Sequence, residues 1–215
     1  MPFHAFLAHV GALALLASRQ STPPDDEHSW SALLRGLTST FPGDEPWTLV
    51  VQDVSKPALL QPPIPEGKIE ALEFIERTPD ALDYLVTAKN HDVKPARIDR
   101  ASAEQWFYAL IALQTMEGFL GRGNYGISRM NSGFGSRPLV GLAPAGGIGA
   151  RLKRDMRRLV DLRLDPPEDS PHAGYPNSGG VQLLWLEPWD GVAQLSPSKL
   201  DPLRGDLSAS STCRR

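Results

Sequence analysis

Ten of the nineteen glycines in this 215-residue chain fall between Gly118 and Gly149. That density works against a continuous helix or strand across the window, because glycine loses more backbone entropy on ordering than any other residue. The segment shows no sustained apolar period, so it predicts loops with short strands. It also opens the strongly basic part of the chain. From Gly121 to Arg163 there are nine basic and two acidic residues, net +7, against thirteen basic and 23 acidic elsewhere, net −10. Glycine lets main-chain N–H groups come close to a ligand, and arginine supplies forked donors. The concentration of both points to a surface for a polyanion.

The flanking regions are more regular. Phe3, Phe6, Leu7, Val10, Leu13, Ala14 and Ala17 recur at helical spacing and predict a buried first helix. No basic residue precedes this apolar run, and His4 and His9 interrupt it, which argues against a secretory signal. The run is also too short to cross a bilayer. The single cysteine, Cys213, leaves no internal disulfide and no thiolate metal site. Together these features predict a soluble, cytoplasmic protein. Ser29 can cap a short helix running to Leu37. Trp47–Val51 and Val181–Leu186 read as strands. The four prolines of Ser55–Gly67 predict an extended strap packed over the domain.

Ser102 and Gln105 form a capping box ahead of an apolar face of Trp106, Phe107, Leu110, Leu113 and Met116. In Ala150–Leu164, Leu152, Met156, Leu159 and Val160 make one face, with Arg151, Lys153, Arg154, Arg157 and Arg158 around the rest. The predicted fold class is α+β: mixed helices and short strands with long irregular Gly/Pro-rich loops. Residues 1–203 are expected to form one domain, and 204–215 a polar, disordered tail.

Gly121-Arg122-Gly123-Asn124-Tyr125-Gly126 matches the pattern G-x-G-x-x-G. A dinucleotide site also needs a strand before the glycines, a helix after them and an acidic residue further on. Here a helix precedes the glycines and Ile127–Gly135 has no helical pattern. No Gly-Lys-Ser/Thr follows, so this is not a P-loop. Glycines of this kind often only make turns. This loop differs in carrying Arg122, Arg129 and Arg137 beside Asn124, Tyr125, Asn131 and Phe134, the side-chain types that touch phosphates and bases. Gly121, Arg122, Gly123, Asn124, Tyr125, Gly126, Arg129 and Asn131 are therefore the candidate DNA-binding residues.

Lys89, Asn90, His91 and Lys94 form a second polar cluster, suited to DNA or a partner chain. No serine or cysteine nucleophile with a strained-turn signature accompanies His91 and Asp92. No HExxH or Cys/His ligand pair is present, so neither a metal nor a cofactor is expected. In the basic helix, Arg151 and Asp155 are spaced as an attractive i,i+4 pair, and Arg154 and Arg158 as a repulsive one. Its carboxylates are too few to neutralise its arginines, which favours a nucleic-acid backbone as partner. The alternative is an enzyme that holds a nucleotide or other phosphate ligand on Gly121–Gly126.

Five strings taken together carry a resemblance: PWTLVV at Pro46–Val51, SKPALLQPP at Ser55–Pro63, LVTAKNHDVK at Leu85–Lys94, GRGNYGISRMN at Gly121–Asn131 and LWLEPWDG at Leu184–Gly191. They resemble the CasA family, the large subunit of the type I-E CRISPR surveillance complex Cascade, over roughly Phe3 to Pro202 and its N-terminal part only. The resemblance implies a non-catalytic subunit in antiviral defence that checks double-stranded DNA for the protospacer-flanking motif (PAM recognition). It also implies partners: the other Cascade subunits, guide RNA, target DNA and a helicase-nuclease, with no membrane. Gly121–Gly126 matches the family's loop against the motif duplex, and Thr87–Lys94 its loop at the guide end. In such a complex, base pairing by the guide carries most of the sequence specificity.

Overall fold

The computed structural model describes residues 2–67, 100–115, 145–165, 180–189 and 199. Four helices organise them: α1 (Pro2–Ala17), α2 (Glu27–Gly36), α3 (Ala103–Thr115) and α4 (Ile148–Leu164). Helix α1 is the hub and packs against each of the other three. The reason lies in its composition. Phe6, Ala8, Val10, Ala12, Leu13, Ala14 and Leu15 are all buried, so apolar residues occupy most of its circumference rather than one stripe. Gly11 marks the closest approach to α4, where an added Cβ would lie 2.3 Å from Met156 Sδ. His9 shares this packing, and burial pushes its imidazole down to about 4.

Local signals set the helix ends. Asp26 caps α2 by accepting from the Ser29 N–H at 2.8 Å. Ser29 therefore lies inside the first turn and is not the cap that its residue type suggested. Ahead of α3 the capping box forms as the sequence predicts: Ser102 N donates to Gln105 Oε1 at 2.9 Å and Gln105 N to Ser102 Oγ at 3.3 Å.

The α+β expectation does not hold. Of the interpretable structure 57% is helical and 3% strand, with no sheet. Neither apolar run read as a strand forms one: Trp47–Val51 starts at the end of a 3-10 turn, Glu45–Trp47, and Val181–Leu186 ends in another, Leu184–Leu186. Both runs pack through their indoles rather than by strand pairing. Trp47 and Trp185 meet edge to face at 6.0 Å between centroids, and Trp185 Nε1 donates to Pro46 O at 3.1 Å.

The proline-rich segment packs over the domain as a strap, but it is built of turns, with a 3-10 turn at Pro65–Gly67, rather than extended. Pro57, Ala58, Leu59, Leu60 and Pro63 are buried, and the strap is tied down by Leu59 N to Thr48 O at 2.7 Å and by Trp189 N to Pro63 O at 2.9 Å. Its tightest point is the Ala58–Gln61 bridge, closed with Leu60 in the left-handed region at φ 59°.

Candidate nucleic-acid interface

Helix α4 separates its residues by chemistry. Met156 and Val160 are buried, with Leu152 and Leu159 half-buried against the core. Two polar contacts flank this face. His4 Nε2 on α1 donates to Asp155 Oδ2 at 2.8 Å, and Lys153 Nζ reaches Asp25 in the loop before α2. Burial by itself would raise the Asp155 carboxyl. Hydrogen bonds from His4 and Arg154 outweigh it and hold the group below its ordinary value.

The outward face is basic. Arg154, Arg157 and Arg158 are exposed. With Ala150, Lys153 and Asp161 they border a shallow depression of about 460 Å³. Arg154 turns along the helix and donates through Nε to Asp155 Oδ1 at 2.7 Å. The expected Arg151–Asp155 pair does not form, because Arg151 Nε donates to Gly146 O at 2.9 Å and Asp155 is taken by His4 and Arg154. Arg157 and Arg158 have no ion pair among the described residues. Successive arginines on one face repel each other, and helix neighbours at these spacings lose rather than gain stability from that arrangement. A polyanion laid along the face would reverse the sign of this term.

The candidate loop residues Gly121, Arg122, Gly123, Asn124, Tyr125, Gly126, Arg129 and Asn131 lie outside the described residues, as do Lys89, Asn90, His91 and Lys94. So does the tail from Arg204 to Arg215. The described structure thus assembles only the helical half of the basic region. The sequence reading placed Arg157 and Arg158 within that region but did not name them as site residues. The helical projection already set them on the side opposite Leu152, Met156, Leu159 and Val160, and what the structure adds is their exposure and lack of an ion pair among the described residues. Among the described residues no group of three His, Cys, Asp or Glu side chains could hold a metal ion. Nor is any helix of the described residues long and apolar enough to cross a membrane. No protein-family model, curated protein or solved structure matches this chain.

Proposed function

We propose that this protein contacts nucleic acid and acts by binding rather than catalysis, with the outer face of α4 set against a phosphate backbone. The observation that carries this reading is the exposed Arg157–Arg158 pair, which no carboxylate among the described residues neutralises. Forked guanidinium donors suit phosphate oxygens, and each phosphate they neutralise releases condensed counterions.

In its finer form the proposal follows the resemblance to CasA. The chain would serve in the cytoplasm as a DNA-contacting part of a Cascade complex, working with guide RNA and the other subunits. It would help recognise the motif flanking a protospacer and recruit the helicase-nuclease. Arg122, Asn124, Tyr125 and Arg129 would touch the duplex, while Gly121, Gly123 and Gly126 permit close backbone approach and Asn131 flanks them. Lys89, Asn90, His91 and Lys94 would meet DNA or a neighbouring subunit.

Titration of short duplex DNA at several salt concentrations tests the reading. Replacing Arg122 and Arg129 by Ala should weaken binding and flatten its salt dependence. An unchanged salt slope in that variant counts against the loop assignment. A thermal shift produced by nucleotides but not by duplex DNA would favour the phosphate-ligand enzyme instead.

A further inference from the structure

An apolar cleft of about 430 Å³, partly open to solvent, is lined by α1, α2, α3, α4 and the strap. Its wall includes Leu7, Trp30, Leu34, Trp47, Phe107 and Met156. The volume falls in the range of small-molecule sites, and a lining of aromatic and aliphatic groups is the usual composition of one. Both wall indoles already have acceptors elsewhere: Trp30 Nε1 donates to Pro24 O at 3.0 Å and Trp47 Nε1 to Thr38 Oγ1 at 2.8 Å. Of the residues that line the cleft, Lys153 carries the one charge, on an ammonium that meets Asp25.

Lys153 now meets Asp25, whose side chain is 88% exposed. An ion pair that open to water is readily exchanged for another carboxylate. The cavity also reaches Gly149 in the first turn of α4. That turn carries no acidic residue, and its N-cap Gly147 has no side chain to supply an acceptor. The partial positive charge of a helix start therefore adds to that of the ammonium. An apolar chamber with a cationic rim fits a ligand with an apolar tail and one anionic head. We propose that this cavity binds a medium-chain alkyl carboxylate, with the tail among Leu7, Trp30, Leu34 and Phe107 and the head displacing Asp25 from Lys153.

The test uses the full chain and its tryptophan fluorescence, titrated with sodium decanoate, decanol and decyltrimethylammonium. Decanoate should bind saturably, decanol more weakly and the ammonium compound most weakly. Lys153→Met should lower decanoate affinity about tenfold, the loss of one charge-assisted hydrogen bond, and leave decanol affinity unchanged. Leu34→Trp, which fills the chamber, should abolish binding of both. If that variant loses its helical circular dichroism, Leu152→Phe replaces it as the filling variant. The proposal is overturned if decanoate gives no saturable signal, if the ammonium compound binds as tightly, or if Lys153→Met leaves decanoate affinity unchanged. Lys153 borders both the basic depression and this cleft, whereas Leu34 borders only the cleft, so duplex DNA binding kept by Leu34→Trp while decanoate binding is lost separates the two readings.

Discussion

Helices α1 and α4 have nearly equal lengths, 16 and 17 residues, and cross in contact, yet they stand in opposite relations to water. Helix α1 is apolar round most of its circumference and is covered by three neighbours. Helix α4 spends one stripe on the core and leaves six basic and two acidic residues on the rest. The first organises the fold and the second presents a surface. An element covered over most of its circumference leaves little polar surface for a charged partner, so contact with a polyanion falls to the helix that is only half committed to the core.

That contrast can be broken most severely from the α1 side. Leu15 is fully buried. Leu15→Ala should cost about 3–5 kcal/mol in urea unfolding, the transfer term plus an unfilled cavity. A loss below about 1 kcal/mol would mean that α1 is not the hub.

Protonation is the next lever. Unfolded, His9 titrates near 6.5, whereas in the fold it titrates at about 4. The unfolded chain therefore binds the proton first as pH falls. Stability is intact above about pH 6.5 and drops by about 3 kcal/mol on the way to pH 4. His9→Leu should flatten that slope. A melting temperature whose pH dependence is the same in His9→Leu and the parent would refute the assignment.

The junction between the two helices comes third. Gly11→Val places carbon where Met156 Sδ already lies, and should destabilise by about 1–3 kcal/mol. Met156→Ala should recover part of that loss in a double-mutant cycle, because the two sites share one volume. Additive losses would show that the helices do not interlock there.

The smallest effect on stability sharpens the contrast most. Arg157→Ala with Arg158→Ala should shift unfolding by no more than about 0.5 kcal/mol. The same pair of changes should reduce the salt slope of duplex DNA binding by about two. A stability change without a change in slope would make this face structural.

The features legible in the sequence were those set by local chemistry. The helical span of α1, the Ser102–Gln105 box and the apolar stripe of α4 each follow from residues close together in the chain. The single buried face read for α1 does not hold, since Ala17 is exposed and Ala8, Ala12 and Leu15 are buried outside it. The two supposed strands failed because a short apolar run does not declare its backbone state. Pro46 sits inside a 3-10 turn that begins at Glu45, and Trp47 and Trp185 satisfy themselves through ring contacts that only the tertiary fold supplies. The α2 cap was misplaced for a related reason. Asp26 and Ser29 are both good caps by residue type, and the carboxylate of Asp26 takes the Ser29 N–H. The site was legible as charge and not as geometry. Counting arginines located the basic region, but which of them keep free guanidinium groups depends on Asp155, His4 and Gly146.

The indole of Trp185 closes against Pro46 and Phe6, near the opposite end of the chain. A nascent polypeptide cannot finish this core until its last quarter is made. At ordinary synthesis rates α1 waits on the order of ten seconds for that partner, its greasy surface uncovered. A chain that stops short of Trp185 leaves Phe6 without that ring neighbour and Pro46 O without its indole donor.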